Sequence, residues 1–106
     1  MSRDYKLYLD DILDSIDRIH RYIRGMGYDQ FAADDKTMDA VVRNLEIIGE
    51  ASKYLPEDWR ENTAEIEWKK IIGLRNILSH AYFGINPLII WDIIQNKLKP
   101  LEIACR

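Results

Sequence analysis

The sequence predicts an all-α protein, an up-and-down bundle of four helices with an additional short helix or turn near residues 56–62. Two observations carry this. Apolar residues recur at three- and four-residue spacing along four long stretches, and no stretch alternates as a strand would. The connections are mostly short and marked by Gly, Pro, Asn and Asp, which makes sequential helices antiparallel neighbours.

The first helix is expected from Asp4 to Arg24, with Tyr5, Leu9, Ile12, Leu13, Ile16, Ile19 and Ile23 on one side. "GMGYDQF" breaks it and offers Gly25 and Gly27 for a C-cap. Asp34 or Asp35 can cap a second helix whose apolar side is Met38, Val41, Val42, Leu45, Ile48, Ala51 and Leu55. Pro56 ends that helix or starts the short turn "PEDWREN". A third helix starts between Glu65 and Trp68 and shows Trp68, Ile71, Ile72, Leu74, Ile77, Leu78 and Ala81, with Gly84 as its stop. Asn86-Pro87 is an N-cap followed by Pro at the first helical position. It opens a fourth helix with Leu88, Ile89, Trp91, Ile93, Ile94, Leu98 and Leu101, which Pro100 should kink or end. Gly49 and Gly73 fall inside predicted helices, where each costs about 1 kcal/mol against Ala. Close helix–helix approach is the expected compensation.

The run "PLIIWDII" is apolar nearly all round, whereas closing a bundle needs only one apolar stripe. The surplus fits a second buried surface, hence a homodimer. A wide core face at the bundle end is the alternative.

A chain of 106 residues makes one small domain, 1–106. Its apolar runs are too short for a membrane span, and the N-terminus lacks the apolar core of a secretion signal, so the cytoplasm is the expected location. Cys105 is the single cysteine, and with His20 and His80 far apart in sequence no zinc cluster is expected. No cofactor is expected. The net charge of −3 argues against generic polyanion binding but hides an asymmetry. Residues 1–67 hold 9 Lys and Arg against 16 Asp and Glu, whereas residues 68–106 hold 6 against 2. Opposite charges on packed neighbours would account for this, as would a basic surface for a partner.

The basic segment contains "GLRNILSHAYFG", residues 73–84, where Arg75, Asn76, His80 and Tyr82 interrupt an apolar helix. At about 100° per residue Arg75, Ser79 and Tyr82 share a face, while His80 lies about 140° from Arg75. One ideal helix therefore does not aim Arg75 and His80 at the same atom. The helix ends near His80, or the two flank a groove, or a partner chain completes the site. The pair suits phosphate chemistry: arginine grips phosphate bidentately and histidine moves protons near neutrality. RNA brings its own nucleophile, the 2′-OH, so no metal is required. The plain alternative is a surface Arg75 and a His80 bonded to a helix end. Glu46 and Glu50, four residues apart, read as a solvated face rather than as metal ligands.

"RNILSHAY" resembles the Arg-X4-His-X-Tyr motif of the HepT-like family in the HEPN superfamily. "YLDDILDSIDRI", "DAVVRNLEIIGEASKYLP", "WKKIIGLRNILSHAYFGI" and "IIWDIIQNKLKPL" extend the resemblance over nearly the whole chain. The resemblance implies a HEPN-like helical fold and a two-fold dimer whose motif residues line a cleft. It implies a metal-independent endoribonuclease toxin of a type VII HepT/MntA toxin–antitoxin system, acting on RNA. Arg75 and His80 would be catalytic and Asn76 supporting. Tyr82 would accept AMP from a cognate MntA-type nucleotidyltransferase antitoxin, which silences the nuclease. The alternative is a non-catalytic helical binding module, the substrate-binding partner of a nucleotidyltransferase.

Overall fold

The computed structural model describes residues 4–79 and 86–106, and of Arg75, Ile77 and Ser79 the backbone alone. Every regular element in this range is an α-helix: α1 (Tyr5–Tyr22), α2 (Tyr28–Ala32), α3 (Asp35–Lys53), α4 (Glu57–Glu61), α5 (Trp68–Ser79), α6 (Pro87–Asn96) and α7 (Leu98–Cys105). The all-α expectation is met, with α4 as the short helix after Pro56.

The caps follow from side-chain chemistry. Asp4 accepts from the Lys6 amide at 3.0 Å and starts α1. Asp34, the first of the two candidates, accepts from the Thr37 amide at 3.0 Å and starts α3. Asn86 accepts from the Leu88 amide at 3.0 Å, with Pro87 at the first position of α6. In the turn after α1, Gly25 takes φ +79°, a conformation that favours glycine.

Two boundaries depart from the expectation. "GMGYDQF" does more than break the chain, because Tyr28–Ala32 forms α2. Five residues are too few to show a period or to hold a helix alone. The Gln30 side chain accepts from the Gly27 amide at 2.7 Å, and Phe31 is fully buried with its ring 5.2 Å from that of Trp91. Tertiary burial thus makes this helix. The second departure is the fourth predicted helix, which divides at Lys97, ahead of Pro100. Pro100 has no N–H for the Asn96 carbonyl, and its ring crowds that carbonyl, so the interruption falls one turn upstream of the proline.

A single apolar cluster joins the helices. Ile12, Ile16 and Ile19 of α1 meet Val41, Leu45 and Ile48 of α3, all fully buried. At about 1.5–3 kcal/mol for each large aliphatic side chain, this seam is a principal source of stability. α3 packs between α1 and α5, and α7 closes on the far side of α1 through Leu98, Leu101 and Cys105. Burial pushes the Cys105 thiol up to about 12, so it stays protonated and unreactive at neutral pH. Ile90, which the sequence stripe omitted, is fully buried in α6, whereas Leu88 and Ile89 are more than half exposed. No described helix is long and apolar enough to cross a membrane.

Gly49 is buried in α3, the helix flanked on two sides, as close approach would require. Gly73 is not so explained among the described residues. A Cβ built there meets no atom of the described residues within 4 Å, because this face of α5 opens onto a groove.

Candidate functional site

α5 is the helix that carries the motif. Trp68, Ile71, Leu74 and Leu78 recur on its inner side and press it against α3. Its start is fixed by Glu67, whose backbone carbonyl accepts from the Lys70 and Ile71 amides at 3.0 and 3.1 Å. The Trp68 indole donates to Thr63 Oγ1 at 3.0 Å and stacks edge-on with Trp59, anchoring the turn that precedes α5.

Of the four motif residues, Asn76 is fully described and is exposed on α5. Arg75 lies on the same helix, with its backbone alone described. His80 and Tyr82 lie outside the described residues, as do the expected end of the helix at Gly84 and the relative aim of Arg75 and His80. His20 is exposed in the last turn of α1.

Part of the positive charge of the C-terminal segment lies at the start of α5. Glu67 pairs with Lys70 at 2.8 Å and with Lys97, at the α6–α7 corner, at 3.6 Å. The Lys70 ammonium, and then that of Lys97, holds the Glu67 carboxyl below its ordinary value, and Glu67 raises Lys70 in turn. Between α5 and α6–α7 runs a groove of about 950 Å³ with an aliphatic floor that includes Ile71, Leu74, Ile89 and Ile93.

The structure revises the reading of Glu46 and Glu50. They are half-buried rather than plainly solvated, and they line a hollow of about 400 Å³ between α1 and α3. Tyr8 and Tyr54 stack across its edge with ring centroids 5.2 Å apart, and Arg43 and Asp11 complete its rim. The sequence signal was available: Arg43, Glu46, Glu50 and Tyr54 recur at three- and four-residue spacing along one line of α3. Among the described residues no group of three or more His, Cys, Asp or Glu side chains is placed to hold a metal ion.

An all-helical bundle that carries Arg75 and an exposed Asn76 on an apolar helix has the outline of the class that the motif resembles. The chain belongs to the HepT-like ribonuclease family: the family model described as "Ribonuclease HepT-like" matches residues 12–106. Similar proteins include one from Methanocaldococcus jannaschii named as a candidate RNase, 46% identical over 91% of this chain and 79% of its own length. Another from the same organism, also named as a candidate RNase, is 40% identical over 94% of this chain and 92% of its own. A protein of Thermococcus cleftensis named as a probable ribonuclease HepT is 39% identical over 96% and 93%. No solved structure matches.

Proposed function

We propose that this protein is a metal-independent endoribonuclease that cuts RNA through Arg75 and His80 at the cleft of a homodimer. The observation that supports this best is the family match over residues 12–106, which spans an intact Arg75, Asn76, His80 and Tyr82. His80 takes the proton of a 2′-OH. The 2′-oxygen attacks the adjacent phosphorus, the bond to the 5′-oxygen breaks, and a 2′,3′-cyclic phosphate and a 5′-OH result. Arg75 holds the phosphate oxygens through the rise in negative charge. Asn76, exposed beside Arg75, supports its orientation or contacts the substrate. The leaving 5′-oxygen needs a proton, and a two-fold partner supplies it from a second His80.

In this reading the protein is the cytoplasmic toxin of a type VII system, and its antitoxin is a cognate MntA-type nucleotidyltransferase. The Tyr82 oxygen attacks the α-phosphorus of ATP, pyrophosphate leaves, and AMP remains on the ring. The added anion, two residues from His80, pairs with Arg75 and occupies the place of the RNA phosphate.

Incubation of the pure protein with single-stranded RNA and excess EDTA tests the reading. The expected products carry 2′,3′-cyclic phosphate ends, and DNA, which lacks the nucleophile, stays intact. Failure to cut any RNA would favour the non-catalytic binding module.

A further inference from the structure

Residues 68–106 owe their positive excess to Lys69, Lys70, Arg75, Lys97, Lys99 and Arg106. Four of these are held by the protein itself: Lys70 and Lys97 meet Glu67 at 2.8 and 3.6 Å, and Lys99 and Arg106 meet Glu102 at 3.5 and 3.4 Å. Among the described side chains of the segment, Lys69 alone stands outside an ion pair. Glu65, just before the helix, forms none with it.

Its place makes this costly. Lys69 is exposed in the first turn of α5, where the free amides of a helix start carry partial positive charge and favour an acidic residue. Lys70, beside it, has Glu67 as compensation, and Lys69 has none among the described residues. The inner side of α5 is marked by Ile71, Leu74 and Leu78, so Lys69 does not serve the core either. An unpaired cation at an unfavourable position fits an anion that comes from outside the protein.

The helix that carries Lys69 also carries the motif. Lys69 and Asn76 are both exposed and lie about 20° apart around α5, on the side opposite Ile71, Leu74 and Leu78. Along the axis they are about 10.5 Å apart. A nucleic-acid strand with stacked bases advances about 3.4 Å per nucleotide, so about three steps cover that distance. A strand lying along this face with its reacting phosphate at the motif therefore passes Lys69. Lysine presents a compact charge on a mobile stem and meets a phosphate without demanding one orientation. We infer that Lys69 is a substrate-binding residue that holds an RNA phosphate about three nucleotides from the bond cut at the motif. The inference deepens the proposed function and takes from it RNA as the ligand and the motif as the place of cutting. The contact is to the backbone, so it adds affinity without sequence preference.

Fluorescence anisotropy with a short, labelled single strand of 2′-O-methyl RNA tests the contact apart from nuclease activity, because the blocked 2′-oxygen cannot attack. Lys69→Ala should keep the circular dichroism and urea midpoint of the wild type. Its Kd should rise about three- to tenfold at low salt, by the same factor on purine and pyrimidine strands. The slope of log affinity against log salt should become shallower by about 0.7, the share of one phosphate on a single strand. Lys69→Arg, which keeps the charge, should bind nearly as the wild type does. Lys99→Ala, at a lysine already paired with Glu102 on α7, should leave affinity and slope unchanged. With unmodified RNA the factor lost in Lys69→Ala should appear in the RNA concentration that gives the half-maximal cleavage rate. A wild type that does not bind the strand, or a Lys69→Ala protein with the affinity and salt slope of the wild type, overturns the inference. If such a Lys69→Ala protein also cuts RNA normally, the ribonuclease reading stands and the strand is held elsewhere. Binding that depends on Lys69 as described, in a protein that cuts no RNA, leaves the contact standing and rejects the ribonuclease reading.

Discussion

Phe31→Ala is the sharpest test of the fold. The five-residue helix α2 cannot persist by itself, and it is held to the bundle by its contacts with α3 and α6. Phe31 is its one buried residue, at 0% exposure, with its ring tilted 38° against Trp91. Truncation removes the full transfer free energy of a phenyl ring and leaves a cavity that a sealed α2–α3–α6 corner cannot readily refill. The expected loss is about 3–5 kcal/mol, of a total near 5–15 kcal/mol for a domain of this size. At a urea m value of about 1.5 kcal/mol per M, the midpoint should fall by about 2–3 M. Tyr28→Ala is the internal comparison. Its ring meets Trp91 edge-on at 6.2 Å and is only half-buried, so that contact adds about 0.5–1.5 kcal/mol to a smaller burial term. Urea titrations followed by circular dichroism and by tryptophan fluorescence give both numbers. A loss below about 1 kcal/mol for Phe31→Ala, or one no larger than that of Tyr28→Ala, would refute the claim that tertiary burial creates α2.

Acid should weaken the N-cap of α3 at Asp34. The hydrogen bond from the Thr37 amide holds its carboxyl below the ordinary value, so the stabilisation is complete above the usual carboxylate range of about 4 and is lost as pH falls through the lowered folded value. Asp34→Asn keeps an N-cap that does not titrate, and its melting temperature should decline less steeply than that of the wild type between about pH 5 and pH 2; parallel declines would contradict this. The proposed AMPylation of Tyr82 predicts that Tyr82→Phe, which keeps the ring and removes the proposed acceptor oxygen, gains no AMP by mass spectrometry when incubated with the proposed nucleotidyltransferase partner, ATP and Mg²⁺. Modification of that variant to the wild-type extent would place the acceptor elsewhere.

Much of the fold is legible because the long helices are written in their periodicity. Ile12, Ile16 and Ile19, and then Val41, Leu45 and Ile48, repeat at the spacing that burial requires, and all six are sealed. Asp4, Asp34 and Asn86 are caps because short polar side chains at helix starts satisfy amides that the helix cannot. Local pattern fails where a distant contact decides. α2 depends on Phe31 reaching Trp91, some sixty residues away in sequence. The break at Lys97 depends on which carbonyl Pro100 leaves without a donor, and that carbonyl lies one turn upstream. The surplus in "PLIIWDII" was visible, but which of its residues face outward was not. Ile90 and Ile94 turn inward, and Leu88 and Ile89 remain uncovered. For the site, the motif order of Arg75, Asn76, His80 and Tyr82 is a property of the sequence. The hollow at Glu46 and Glu50 needed α1, because Tyr8 and Asp11 form its other wall.

The central claim is that Arg75 and His80 cut RNA without a metal. Its most direct test is the single-turnover cleavage rate of one single-stranded RNA in excess EDTA, for wild type, Arg75→Ala and His80→Ala at equal concentrations of folded protein. The account predicts a measurable wild-type rate and a loss of at least about 10²-fold in each variant, the usual worth of one acid–base or charge-stabilising group. Equal rates in all three proteins, or a wild-type rate that vanishes with EDTA and returns with a divalent ion, would contradict it.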